Sequence, residues 1–350
     1  MSESKIQNFN HLKIHSQYSI CEGAVKIDDL KNFYKDNNIR ALGLSDTSNL
    51  CGALEFAEKI SKVGIQPIIG TQINFKHNDT TGLIPLFALN ETGYKKIIEL
   101  SSLSYLDNNE TNEPYLNFSE LLKPSNGVSL FSGSFNGLFG QLFEKGKFKE
   151  IEQLYLELKS TYKDNFYIEI QRHGDVNENE FEKFNLSKSL TLEIPIIATN
   201  EVYYIDKTMH EAHDALICIK DKTYINEKNR LRLSDQHYLK NNSEMSELFS
   251  DLPEALENNY NFPYRCSFRP LFSKPILPNI SSEKGGNADE ILKKESLEGL
   301  KNKFEIIFKI KNNNLSSNED YLKYKDRLDH ELNIIIEMKY ASYFLIVSDY

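Results

Sequence analysis

Near its start the chain reads HLKIHSQYS, with His11, Lys13 and His15 at alternating positions. Alternate side chains of an extended strand share a face, so all three could point the same way. Imidazole is a common metal ligand. Lysine at neutral pH is an ammonium with no lone pair, and at the centre of a cation site it would repel the metal. The stretch is therefore a metal site, the remains of one, or neither.

Other chemistry-bearing residues are isolated. His210 and His213 fall three apart on an expected helix with no third ligand beside them, which reads as surface or packing. Gly146 and Lys147 are followed by Phe148, so they open no phosphate-binding loop. Ser132 and Ser134 lie near glycines but outside a G-x-S-x-G turn. Cys21, Cys51, Cys218 and Cys266 are far apart, form no C-x-x-C pair, and read as reduced thiols.

The elements that would position such residues alternate. HLKIHS, IRALGLSD, QPIIGTQINF, LIPLFALN, GVSLFSGS, NFYIEIQR and IPIIATNEVYY read as strands. Between them AVKIDDLKNFYKDN, LCGALEFAEKISKVG, ETGYKKIIELSSLSYL, GQLFEKGKFKEIEQLYLELKSTY and residues 178–193 have helical spacing, with Gly64 placed to end the second of these. This rhythm implies an α/β fold with a mostly parallel sheet, and its repetition favours a closed barrel. It stops after about residue 215. Residues 240–260 read as helical, FRPLFSKPILPNISSEKGGN as a linker or extended arm, and the chain from Ala288 as helical again. The expected domains are 1–270, a linker at 271–287, and a helical segment at 288–350.

A net charge of −10 disfavours a general nucleic-acid-binding surface while leaving room for local basic patches. The polar start MSESKIQNFN is unlike a signal peptide, and no apolar run approaches a membrane span. A cytoplasmic protein is the expectation.

In a parallel barrel, functional side chains gather at the C-terminal ends of strands. Those ends carry Lys13 and His15, then Asp46 and Thr47, Gln72, Ser134, His173, and Asn200 to Tyr203. The stretches HLKIHSQYSICEGAVK, ALGLSDTSNLCGALEF, GIQPIIGTQINF, NETGYKKIIELSS, FYIEIQRHG, IPIIATNEVYYID and EAHDALICI resemble, in order and spacing, the N-terminal polymerase-and-histidinol-phosphatase (PHP) domain of the bacterial DNA polymerase III alpha subunits, which are C-family replicative polymerases. YKDRLDHELNIIIEMKYASYFLIVSDY resembles the entry into their polymerase core, so the resemblance covers essentially all of the chain.

The resemblance implies a PHP-type distorted (β/α) barrel followed by helices entering a polymerase palm. Metal-binding members hold a metal cluster with His, Asp, Glu and Cys. Their H-x-H motif falls here on Lys13 and His15, and His11 lies before it. A following acidic ligand falls on Glu22, the D-H pair on Asp46 and Thr47, a glutamate on Gln72, and a cysteine or histidine on Ser134. One histidine is kept as His173, and N-D-x-H becomes Asn200, Glu201, Val202, Tyr203. Clustered cations need anionic and imidazole ligands, and five of these positions carry other groups. The expectation is a vestigial pocket without metal, in which Lys13 pairs with Glu22 or Glu201.

The resemblance further implies a parent DNA-directed DNA polymerase using Mg²⁺ held by aspartates outside this chain, which has no D-x-D pair. The segment's own role would be scaffolding and docking, with no catalytic residues. Its partners would be a proofreading exonuclease subunit, the rest of the polymerase core, and DNA through the parent enzyme. The alternative is a PHP domain keeping metal-dependent 3′–5′ exonuclease or phosphoesterase activity.

Overall fold

The computed structural model of the chain describes residues 8–30, 32–33, 39–106, 113–123, 126–275, 287–308 and 318–350. They form two compact units, Met1–Phe272 and Ser273–Tyr350. Of the segment read as a linker, residues 276–286 lie outside the described residues. Among the described residues, no helix is long and apolar enough to cross a membrane.

The first unit is built on a curled mixed sheet. Its strands are β1 (Lys13–Ile14), β2 (Ala41–Thr47), β3 (Gln66–His77), β4 (Thr80–Ala88), β5 (Tyr115–Asn117), β6 (Val128–Phe131), β7 (Phe166–Ile170), β8 (Ile196–Ala198) and β9 (Glu201–Val202). Strands β2, β3, β4, β6, β7 and β8 neighbour one another in that order, with β5 beside β3. The β2–β3, β6–β7 and β7–β8 pairs are parallel. Strand β4 is antiparallel to both neighbours, because a tight turn with Asn78 at φ +54° joins it to β3. The short β5 escapes sequence reading.

The last strand segment changes partner and closes the ring. Ile168 and Ile170 of β7 pair with Ile196 and Ala198 of β8, while Glu201 and Val202 of β9 run parallel to Lys13 and Ile14 of β1. Strand β1 is tied to β2 through Gly43 N–H donating to His11 O at 2.7 Å. The result is a distorted (β/α) barrel.

Buried Asn259 clasps this junction. Its Nδ2 donates to Asn10 O (2.8 Å) and Ala198 O (3.0 Å), and its Oδ1 accepts from Asn10 N–H (2.8 Å).

Helices α1 (Ala53–Lys62), α2 (Glu91–Leu106), α3 (Leu138–Glu144), α4 (Phe148–Tyr162), α5 (Glu178–Leu192) and α6 (His210–Asp221) follow the strands, then α7 (Asn242–Leu248) and α8 (Pro253–Asn261). Gly64 sits at φ +81° just past α1, as expected of a helix-ending glycine. The segment read as one helix from Gly140 to Tyr162 is two, because Gly146 at φ +69° breaks it between α3 and α4. The helix read at AVKIDDLKNFYKDN lies partly outside the described residues, and Val25 within it forms a bridge with Ser16.

Inside the ring, Leu12, Ala41, Ile68, Phe87, Phe131, Tyr167 and Ile197 make an apolar layer plugged by Phe262. Phe87 and Phe131 lie 4.7 Å apart, and Phe131 and Phe262 5.1 Å. Alternation along β3 and β7 puts Gln72 on the face of Ile68 and Glu169 on that of Tyr167. The next layer towards the strand C-termini is therefore polar. A second apolar cluster fills the space between sheet and helices α2 to α5.

The second unit contains α9 (Ala288–Phe308), α10 (Glu319–Glu337) and α11 (Ala341–Asp349). It has a small core of Leu292, Leu332, Ala341 and Leu345.

Candidate functional site: a buried charge cluster at the barrel mouth

The polar layer is centred on Lys13. The pairing of β1 with β9 sets Lys13 opposite Glu201. Lys13 Nζ lies 3.2 Å from Glu201 Oε2 and 3.3 Å from Glu169 Oε1, with both Lys13 and Glu169 side chains fully buried. An ammonium thus occupies the centre of the buried acidic layer.

Glu201 is the hub. Gln72 Nε2 donates to its Oε1 at 2.6 Å, and His15 Nε2 stands 3.0 Å from the same oxygen. Burial pushes the Glu201 carboxyl up, but Lys13, His15 and Gln72 outweigh it and hold the group well below its ordinary value. Glu169 accepts from Gln171 Nε2 at 2.8 Å and from Thr199 Oγ1. Its Oε2 has no hydrogen-bond partner among the described residues.

Asp46 is bound up in structure. Ser16 N–H (2.7 Å), Ser16 Oγ (2.8 Å) and Ser19 Oγ (2.7 Å) all donate to its carboxylate. Thr47 Oγ1 and Ser19 Oγ each lie 3.4 Å from His15 Nδ1. The Tyr203 ring stacks on His15 at 4.4 Å. Burial, with nearby Glu201 and Glu22, keeps the Tyr203 hydroxyl protonated well above the ordinary phenol value.

The remaining positions sit at the margins. His173 accepts from Glu201 N–H at Nε2 (3.2 Å), and its Nδ1 lies 3.3 Å from Glu178 Oε1, which fixes the proton on Nδ1. Ser134 lies across a cavity of about 40 Å³ that His173, Glu178, Glu201 and Tyr203 also line. Asn200 is structural: it donates to Tyr238 O (2.8 Å) and accepts from Lys240 Nζ (3.1 Å).

Of the two partners expected for Lys13, Glu201 is the one found; Glu22 instead pairs through its Oε1 with Lys220 Nζ at 2.6 Å, and the second carboxylate on Lys13 is Glu169. One expectation is corrected. His11 does not share the cluster's face. Strand β1 spans only two residues, and His11 packs edge-on against Phe9 and Phe33 with Nε2 2.7 Å from Lys240 O. Burial lowers its pKa to about 4. His213 is a packing residue: it is buried, with Nε2 2.7 Å from Glu22 O and its ring stacked at 5.5 Å on Tyr203.

Sequence reading missed Glu169 and His237. Glu169 alternates with apolar residues in FYIEI, and an inward acid in a barrel strand was the available signal. His237 follows the regular strands, and nothing in its local sequence marks it. Its ring stacks on His173, its Nδ1 lies 3.1 Å from Glu201 O, and its Nε2, 4.0 Å from Asp175 Oδ2, has no hydrogen-bond partner among the described residues.

A metal cluster fits this donor set poorly. Lys13 contributes a cation, Gln72 a neutral amide already committed to Glu201, and Tyr203 a protonated phenol; none replaces the anionic or imidazole ligands a cluster of cations requires. Among the described residues, no three His, Cys, Asp or Glu side chains are arranged to hold a metal ion.

Residues 11–173 match the family described as PHP domain, and residues 290–350 the family described as bacterial DNA polymerase III alpha NTPase domain. The DNA polymerase III subunit alpha of Caulobacter vibrioides is 37% identical over 358 residues, covering 100% of this chain and 31% of that protein. That of Rickettsia felis is 36% identical over 344 residues, covering 98% and 28%. That of Borreliella burgdorferi is 35% identical over 356 residues, covering 98% and 30%. The chain thus spans about a third of the length of the curated relatives it matches.

Proposed function

The chain belongs to the bacterial DNA polymerase III alpha subunit family, with a PHP domain ahead of alpha NTPase-domain sequence, and from that premise we propose that it serves as the N-terminal segment of a replicative, cytoplasmic DNA-directed DNA polymerase. In this reading residues 1–270 form a metal-free PHP scaffold, 271–287 a linker, and 288–350 the start of the polymerase core. Synthesis of DNA, with its Mg²⁺, belongs to the longer parent protein. The barrel's task is to support that core and to dock a separate proofreading exonuclease subunit.

One observation carries the metal-free reading: Lys13 Nζ fills the centre of the cluster, within 3.3 Å of two buried carboxylates. A fixed positive charge there offsets part of the charge of Glu169 and Glu201 without a metal and repels an incoming cation. Loss of chemistry in the barrel accords with proofreading supplied by another chain.

Elemental analysis of the dialysed protein tests the first part. Well under one Zn, Mn or Fe per chain is expected, with no Mn²⁺-dependent degradation of single-stranded DNA. Two or three metals per chain, and a nuclease activity abolished by His15→Ala, would replace the scaffold with a PHP exonuclease. Calorimetry with the cognate exonuclease subunit tests the second part. Association at micromolar concentration is expected, over an interface of at least about 1,000 Å². No binding to this chain, where the longer parent protein does bind, would place docking elsewhere.

A further inference from the structure

The loop after α6 departs from the charge of the rest of the chain. Residues 220–232, KDKTYINEKNRLR, which span the end of α6 and this loop, carry five basic residues against two acidic ones in a protein of net charge −10.

Some of these charges are spent on structure. Lys220 pairs with Glu22, and Arg230 grips Asp214 with two bonds of 2.6 Å while its Nη2 donates to Ile225 O at 3.0 Å. The Arg230 side chain is only 5% exposed. It therefore acts as a peg that folds residues 225 and 230 together and fixes the loop to α6. A further turn, with Glu227 N–H donating to Tyr224 O, shapes the tip.

The other groups face solvent. Lys222 and Lys228 are exposed and form no ion pair among the described residues, and Arg232 is exposed with its Nε 3.9 Å from Asp214. Asp221 is exposed at the helix end, and Glu227 accepts from Thr223 Oγ1 at 2.7 Å. Between Lys222 and Lys228 in sequence Tyr224 stands 73% exposed, with Ile225 next to it and Leu231 further along the loop also exposed. Exposed cations and a bare aromatic ring carried on one anchored loop are what a flexible polyanion with planar bases recognises: phosphates on the cations, an unstacked base on the ring. A duplex hides its base faces and would leave the tyrosine unused.

We propose that the 222–232 loop is a single-stranded DNA contact, with Lys222, Lys228 and Arg232 on phosphates and Tyr224 stacking on a base. It is separate from the buried cluster around Lys13 and requires no catalysis.

The test is fluorescence anisotropy of labelled oligo-dT with the 350-residue chain at low salt. Three phosphate-facing cations predict a slope of log affinity against log salt of about −2, and the Lys222→Ala, Lys228→Ala pair should bring it to about −0.7. Tyr224→Ala should weaken binding at least about fivefold and leave the slope unchanged. The substituted side chains are exposed, and an unchanged near-ultraviolet circular dichroism spectrum establishes that each variant is folded. No binding up to about 100 µM, equal affinity for the matching duplex, or Tyr224→Ala binding like the parent would each overturn the proposal. So would displacement of oligo-dT by oligo-glutamate at equal charge concentration, which would make the loop a surface for acidic proteins.

Discussion

The imidazole rings of His173 and His237 stack face to face, 4.0 Å between centroids and 7° from parallel. Two charged rings could not sit so closely without a counterion between them. Burial lowers the His173 pKa to about 3 and holds that of His237 well below its ordinary value. Both rings are neutral in the fold at neutral pH.

Stability should therefore fall in mild acid. His11, His173 and His237 are neutral when folded, and each takes up a proton once the chain unfolds at a pH below about 6.5. Their contribution is complete above 6.5 and is lost as the pH falls towards the folded values, about 4 for His11 and about 3 for His173. Each should cost about 1.4 kcal/mol per pH unit across that window. Urea unfolding at pH 7, 6 and 5 measures it. A His11→Gln variant should show a shallower slope by one proton, and a flat profile would mean the rings are charged in the fold.

Lys13→Ala should destabilise the barrel severely. It leaves Glu169 and Glu201 buried without a counter-charge, which costs about 3–5 kcal/mol when one partner of a buried pair is removed. Lys13→Glu should prevent folding. A melting temperature unchanged by Lys13→Ala would show that the ammonium carries no structural charge.

Arg172 ties α5 to the turn between α7 and α8. It donates to Glu182 (2.6 and 2.9 Å), Asp251 (2.6 and 2.9 Å) and Leu248 O (2.6 Å), and lies 5.0 Å over the Phe249 ring. Arg172→Lys keeps the charge but loses the forked geometry. Because Asp251 is largely exposed, the expected loss is about 1–2 kcal/mol. Denaturant midpoints of the two proteins decide it; equal midpoints would reduce the clamp to a surface pair.

Asn259→Ala removes three buried hydrogen bonds at once and leaves Asn10 N–H without a partner. The loss should be roughly 3 kcal/mol or more. Amide exchange should accelerate most at β1 and β8, the segments the amide joins. Exchange raised evenly along the chain would argue against a local clasp.

The positions of most strands and helices were legible because burial imposes a period on sequence. LIPLFALN and FYIEI can only be buried strands, and the cluster positions fell at strand ends as a barrel requires. The partners of Lys13 were less so. Glu22 is close in sequence and acidic, yet it turns to Lys220, while Glu169 reaches Lys13 from a strand more than 150 residues away. Such pairing depends on register between β1, β7 and β9, which no local pattern carries. The split of α3 from α4 was present as Gly146 but was outweighed by the helical spacing on either side. His237 joins the site through a loop whose path is set by tertiary contacts alone.

The clasp at Asn259 also bears on how this protein is born. The two carbonyls and one amide it joins belong to Asn10 and Ala198, so the ring lacks its seal until residue 259 has left the ribosome. At bacterial elongation speeds, roughly ten to fifty seconds separate synthesis of the first strand from synthesis of the residue that seals it. For most of that interval β1 waits with one flank unpaired, until β9 is made. Its two residues include a lysine, a side chain that keeps an open strand edge from recruiting a neighbour. The charge that sits between Glu169 and Glu201 in the finished barrel thus also guards the nascent chain before the barrel exists.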